Sequence, residues 1–417
     1  MSAETRSAGG LLLALTLLNL LNFADRYLLI AFSTSIVPEL GLSNLQFGLL
    51  TGVVFTGVYT VLGLFAGSLA DRMNRAHLIG YGLMLWSALT AATGLARNFL
   101  QMAAARMLIG VGEACLTPAA LSLLADRYPP ARRALASGIY YMGYPLGIGG
   151  SFIFAGVVGP AIGWRGGFLL LGALGVVAAL LVLWLMRDPR AATPGARNAG
   201  SFSDSFRAMA RELRHNRGFA LTLAACTVLV FALGGGILDL LWWVKERGYA
   251  AVEAQKISGL IFLIGGSLGA LLGGVGADWM ERRGVGGRLR FLGWLFLLGA
   301  PLLTLYRLIP GHSAAFYSLA LFASMTALML FGPALSAVQE QVPSQHRASA
   351  VALFLLCGAL IGAGGGNATA GALVDHFIAA GEAEPYTLAL LWMQGIGALA
   401  IPLFFLAARA QARMPPK

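Results

Sequence analysis

Four ionisable residues stand in apolar runs that leave little room for charge. Asp25 and Arg26 are adjacent in LLALTLLNLLNFADRYLLIAFSTSIVPEL, and Arg106 and Glu113 lie seven residues apart in RMLIGVGEA. A carboxylate in low dielectric takes up or releases a proton as its neighbours move, and a guanidinium there can hold an anion. Placing such groups in hydrocarbon is costly, at least about 2.5 kcal/mol each, so each needs a partner. Successive helical residues point about 100° apart, so Asp25 and Arg26 cannot serve each other. Arg106 and Glu113 are two turns apart and share one face at about 10 Å. The spacing predicts pairs across helices, Asp25 with Arg106 or Arg26 with Glu113, lining a wet cavity. Asn19 and Asn22 extend the polar stripe. Asp25 and Glu113 are candidates for the coupling proton, and Arg26, Arg106 and Asn22 for substrate contact. A fixed ion-pair network that only holds helices together is the alternative.

Asp239, in GGGILDLLWW, lies 214 residues after Asp25 and is the other acid expected at depth. No basic partner falls within a span, which predicts a protonated or water-exposed carboxylate, available to substrate.

The elements that must position these groups are membrane helices. Of 417 residues, 58% are hydrophobic and 11% charged, with mean hydropathy +0.76; soluble proteins carry about 25% charged residues. At about 20 apolar residues per crossing, twelve spans are expected. They run over 10–38, 44–70, 77–96, 99–126, 132–158, 164–187, 218–245, 252–278, 288–309, 313–340, 347–376 and 386–410. Strands of about ten alternating residues, the mark of a membrane barrel, are not apparent. The first apolar run is too long for a cleaved signal and is expected to remain as a span. With the N-terminus inside, 21 of the 29 Lys and Arg fall on termini and inner loops, 6 on outer loops, and 2, Arg26 and Arg106, within spans. That bias places both termini in the cytoplasm and explains the formal charge of +11 without nucleic acid.

Two loop sequences recur. GSLADRMNR (67–75) returns as GVGADWMERR (274–283), and DRYPPARRALASG (126–138) as EQVPSQHRASAVA (340–352). Copies in the same order argue for duplication, with two six-helix halves around a cavity. Gly67 allows close helix approach, and Asp71 is placed to accept hydrogen bonds from a neighbouring helix N-terminus, as a latch on one side of the membrane. Arg72 and Arg75 are expected to find loop carboxylates or lipid phosphate. Asp126, Arg133, Asp278, Glu340 and Arg347 complete the candidate gating set.

GSLADRMNR after the second span, its degenerate copy after the eighth, and RMLIGVGEA in the fourth resemble the signatures of the major facilitator superfamily. Asn74 stands where that pattern usually has Gly. NFADRYLL, RMLIGVGEACLTPAALSLLADRYP and GYPLGIGG resemble its spinster branch, whose eukaryotic members are linked to lysophospholipid and sphingosine phosphate transport. GYPLGIGG is also similar to the superfamily's antiporter motif, without its Gly-Pro order.

The fold class expected is therefore all-α and integral to the membrane, with twelve transmembrane helices in two pseudo-symmetric six-helix bundles. The bundles are 1–187 and 218–417, joined by a linker over 188–217 that carries an amphipathic helix. The expected function is proton-coupled transport by alternating access of an amphipathic, anionic, lipid-like substrate. Efflux of drug-like molecules or organic anions on the same fold is the alternative. Partners are the substrate, protons and the bilayer; a monomer in the inner (plasma) membrane is expected. The chain has no P-loop, since none of Lys245, Lys256 and Lys417 follows Gly or precedes Ser or Thr. With no GxSxG, HExxH or CxxC either, no enzyme, cofactor or metal is expected, and Cys115, Cys226 and Cys357 read as small apolar residues.

Overall fold

A computed structural model describes residues 3–188, 216–343 and 346–413. The described residues form helices and no strand. Labels α1 to α12 follow the twelve expected spans. α1 is Ala3–Ala31, continued by Ser33–Glu39, and α2 is Asn44–Thr51 and Val53–Arg72. α3 is Arg75–Thr93, α4 is Phe99–Glu113 with Leu116–Arg127, and α5 is Pro130–Tyr141 with Gly143–Val157. α6 is Gly159–Leu185. α7 joins Arg217–Leu233 to Asp239–Glu246 through a 3-10 turn, Gly234–Leu238. α8 joins Ala251–Ile261 to Ser267–Glu281 through a π-stretch, Phe262–Gly266. α9 is Gly287–Leu308, and α10 is Ala314–Met329 with Phe331–Gln341. α11 joins Arg347–Cys357 to Gly366–Ala379 through a π-stretch, Gly358–Gly365, and α12 is Pro385–Ala398 with Ala400–Ala412.

Ten of these helices among the described residues are long and apolar enough to cross a bilayer by length and composition. The other two expected spans, α3 and α5, are helical as well. A bilayer leaves only helices or closed barrels for crossing, because no water is there to satisfy backbone polar groups. Local chemistry starts the helices. Ser43, Asn74, Asn98, Asn216 and Ser313 each accept the backbone N–H three residues on, satisfying a donor that the helix cannot. Ser43 and Gln46 close a reciprocal capping box. The expected linker helix lies outside the described residues.

The described residues divide into two compact units. One draws on Met1–Leu42, Val54–Asn198 and Ala250–Leu263, the other on Ser43–Val53, Ala199–Tyr249 and Ile264–Lys417. The start of α2 thus packs in the second unit and the start of α8 in the first. Glycine makes both seats possible. A Cβ on Gly371 would collide with the Asn44 carbonyl, and a Cβ on Gly149 would stand 2.7 Å from the Gly259 oxygen. Without a hydrophobic drive between helices in lipid, such close approach supplies the dispersion that holds them. The first unit's core includes Leu15, Leu83, Trp86, Ile109, Leu123 and Tyr140. The second's is built around Phe219, Leu292, Phe296, Phe354 and Phe404. Leu174, Trp184, Val275, Leu298 and Trp392 are exposed, as lipid-facing side chains must be.

Candidate functional site

The charged layer of the first unit is built by α1, α2, α3 and α4. Asp25, Arg106 and Glu113 are each 1% exposed, and Asn19 and Asn22, on the same helix as Asp25, are buried too. Gly110 makes the layer possible: a Cβ there would come 3.0 Å from the Tyr59 nitrogen and 3.2 Å from the Phe55 oxygen. α4 therefore lies directly against α2, and the rings of α2 reach the arginines. The Arg26 guanidinium sits over Tyr59, Phe55 and Phe23, with 4.2, 4.9 and 5.1 Å to the ring centroids. Arg106 faces Phe55 at 5.1 Å. Cation–π contacts gain when desolvated, at about 2 kcal/mol.

Of the two predicted cross-helix pairs, one is made. Arg26 Nε donates to Glu113 Oε2 at 2.5 Å. No ion pair joins Asp25 to Arg106 among the described residues. Asp25 Oδ2 instead lies 2.8 Å from the Thr90 hydroxyl, on α3. The reason is competition: Arg106 Nη2 is turned to the Arg26 carbonyl, at 3.3 Å. Its Nε and Nη1 have no hydrogen-bond partner, and neither do Asp25 Oδ1 and Glu113 Oε1. Asp25 and Glu113 are thus two buried acids of one layer, each with an unused oxygen. One proton between them turns a repulsion into a bond, while two buried anions side by side repel. Asn19 Nδ2 donates to the Tyr140 carbonyl at 2.9 Å, whereas Asn22 Nδ2 is unpartnered. The layer thus offers both unused donors and unused acceptors in a buried place.

Asp239 does have a basic partner, which corrects the expectation that it would have none. Arg307 Nη1 donates to its Oδ1 at 2.7 Å. Arg307 lies in the last turn of α9. Its guanidinium also stands over Trp242 at 4.6 Å and Tyr306 at 4.7 Å. Nearby, Arg247 Nη2 reaches the Arg307 carbonyl at 2.5 Å, Thr387 at 2.9 Å and Glu384 at 3.0 Å. That last hydrogen bond holds the Glu384 carboxyl, outside the spans, below its ordinary value. Glu246 accepts the backbone N–H groups of Tyr386 and Thr387, at 2.6 and 2.8 Å, and so caps α12.

The candidate gating residues fall into three groups. Gly67, Asp71 and Arg72 end α2, with side chains outside the described residues. Arg75 finds carboxylates, as expected. It bonds Asp126 Oδ2 at 2.7 Å and Asp188, to which its own backbone nitrogen also donates at 2.8 Å. In the second unit Arg288, not a sequence candidate, binds both Asp278 Oδ1, at 2.7 Å, and Glu340. Arg75 and Arg288 both stand at the start of a third helix, and Asp126 and Glu340 both at the end of a fourth. Arg133 donates to the Tyr128 carbonyl at 3.1 Å, and Arg347 opens α11, exposed.

Asp375 was not singled out by sequence either. Its carboxylate accepts from Asn44 N at 3.0 Å, Asn44 Nδ2 at 2.8 Å and Leu45 N at 2.8 Å, seating the start of α2 in the second unit. Asn44 Oδ1 accepts in turn from the Tyr386 hydroxyl at 2.9 Å.

A family model of the Major Facilitator Superfamily matches residues 15–366. The chain belongs to the major facilitator superfamily. It is a multi-pass membrane transport protein, not an enzyme. Its relatives include an MFS-type efflux pump of Mycolicibacterium smegmatis, 29% identical over 357 residues, 84% of this chain and 81% of that one. Protein spinster of Drosophila melanogaster is 26% identical over 392 residues, 90% of this chain and 63% of that one. A bacterial homolog of the human lysosomal transporter Spinster, solved in an inward-facing, unoccupied conformation, has the same fold. It superposes with a TM-score of 0.86 at 24% identity, covering 100% of both chains. Spinster proteins thus stand among the relatives of this transporter, as the motifs in α1, α4 and α5 led one to expect.

Proposed function

We propose that this transporter is a proton-coupled secondary carrier, working by alternating access, for an amphipathic anionic molecule with a lipid-like tail. The observation that carries this reading is the unbalanced hydrogen bonding of the buried layer. Arg106 has two nitrogens, Nε and Nη1, free to donate to an anionic headgroup, and Asp25 and Glu113 have free oxygens that a single proton would join. An anion approaching Arg106 and a proton entering between the carboxyls change the same local charge. The two events are therefore linked through the Arg26–Glu113 pair. Asn22 and Asp239 are further substrate contacts in this reading, and the residues around Asp71, Arg75, Asp278 and Arg288 gate one side. An Arabidopsis thaliana relative, 30% identical over 193 residues, is named a probable sphingolipid transporter, which supports a lysolipid or sphingosine phosphate-like substrate. The inner (plasma) membrane, both termini in the cytoplasm and a monomer belong to the same proposal.

Efflux of drug-like molecules is the second reading, favoured by the Mycolicibacterium efflux pump that matches most of the chain. Proteoliposome transport of a panel of lysolipids, sphingoid phosphates, organic anions and lipophilic cations, with and without a pH gradient, decides between them. Gradient-driven movement of single-chain anionic lipids supports the first reading. Movement of the cations alone overturns it.

A further inference from the structure

We propose that Thr90 is a positioning residue for the coupling proton: its hydroxyl is a rotor that satisfies Asp25 in both of its protonation states. This rests on the reading of Asp25 as a proton carrier. Thr90 Oγ1 lies 2.8 Å from Asp25 Oδ2 and 2.9 Å from the Trp86 carbonyl one turn back along α3. Both residues are 1% exposed, so no bulk water intervenes. A hydroxyl has one proton to give and lone pairs to receive. The Trp86 carbonyl can only accept. When Asp25 is ionised, Thr90 turns its proton to Oδ2. When Asp25 is protonated, its O–H donates to Oγ1, and Thr90 turns its proton to the Trp86 carbonyl. Each state makes its hydrogen bonds, and they differ by a hydroxyl rotation. Serine and threonine in apolar helices ordinarily bond back to the preceding turn, so the second position is already a comfortable one.

The other groups facing Asp25 do not supply this. Arg106 and Glu113 approach from α4, Arg106 as a charge without an ion pair to Asp25 and Glu113 as a second acid. Arg26, its neighbour on α1, is committed to Glu113. On α5, Tyr144 meets Tyr27 and the Tyr140 hydroxyl meets Thr117. On α6 the charged residue is Arg165, bonded to Glu39 and to the carbonyls of Gly94 and Ala96. Among the described residues Thr90 is the one hydroxyl given to Asp25.

The test compares Thr90→Val, which keeps the shape and loses the hydroxyl, with Thr90→Ser, which keeps the hydroxyl. Both are reconstituted with the full-length wild type and Asp25→Asn, and proton-driven uptake of a lysolipid is followed against pH. Thr90→Val takes a charge-assisted donor from the anionic carboxylate and only a weaker, neutral acceptor from the acid, so the midpoint of the pH profile moves up by about one pH unit. Thr90→Ser keeps the wild-type midpoint. Difference infrared spectroscopy of the Asp25 carboxyl C=O band reads the same midpoint without turnover, should Thr90→Val bind but not transport. An unchanged midpoint in Thr90→Val, or an equal shift in Thr90→Ser, overturns the proposal while a flat profile in Asp25→Asn leaves the carrier itself standing. Proton-driven transport retained by Asp25→Asn overturns the carrier reading, and this proposal with it.

Discussion

Arg26 donates to Glu113 across 87 residues of sequence, at 2.5 Å, while its neighbour Asp25 bonds Thr90 instead. The two acids of the layer are therefore not equivalent: one neutralises a cation directly, and the other makes no ion pair among the described residues. Removing one partner of a buried pair leaves the other uncompensated, at about 3–5 kcal/mol, whereas removing both costs far less. Glu113→Leu and Arg26→Met should each lower the thermal unfolding temperature in detergent clearly, and the double variant should recover most of the loss. Simple additivity of the two single effects would mean that they do not act as a pair.

Arg106 is the group that an anion should find. Its Nε and Nη1 are unpartnered and 1% of its surface is exposed. Binding of a single-chain phosphate lipid, read by tryptophan quenching or calorimetry, should weaken at least about tenfold in Arg106→Ala. Arg106→Lys should restore little of it, since a single ammonium cannot present two aligned donors. Binding of an uncharged analogue with the same tail should be unaffected. Equal loss for charged and uncharged ligands would make Arg106 a structural residue.

Asp375 caps the start of α2 with three hydrogen bonds, two of them to backbone N–H groups. Loss of an N-cap costs about 0.5–2 kcal/mol, and Asp375→Ala should lower thermal stability by that order. Asp375→Asn keeps one acceptor oxygen and should fall between. A wild-type unfolding temperature in Asp375→Ala would show that the helix start needs no carboxylate.

Much of this was legible in the sequence, for identifiable reasons. The spans were, because lipid forces every backbone group into helical hydrogen bonds and so into long apolar runs. The Arg26–Glu113 pair was one of two written into the balance of charges. Thr90 was not, since one hydroxyl in an apolar helix looks like any other until a carboxylate is placed beside it. Arg307 falls inside the expected ninth span, 288–309, but so near its end that its reach to Asp239, 68 residues away, was not apparent. Asp375 meets Asn44 from 331 residues away, and nothing local to either residue announces that contact.

The arginines at the starts of α3 and α9 allow the sharpest prediction, because each holds two carboxylates but only Arg75 holds one that is fully buried. Arg75 and Asp188 both have side chains 1% exposed, and Asp188 also takes the Arg75 backbone N–H. Arg288 meets Asp278 and Glu340, whose side chains are 55% and 36% exposed. Water can rescue the second pair of carboxylates but not Asp188. Arg75→Ala breaks a buried ion pair and should therefore cost about 3–5 kcal/mol. Arg288→Ala should cost about 0–1 kcal/mol, as at exposed ion pairs. Chemical or thermal unfolding of the two variants in the same detergent gives the ratio. Adding Asp188→Asn to Arg75→Ala should recover part of the loss, because replacing both members of a buried pair costs less than removing one. Equal destabilisation by the two arginine variants would mean that position in the repeat, and not burial, sets the strength of these contacts.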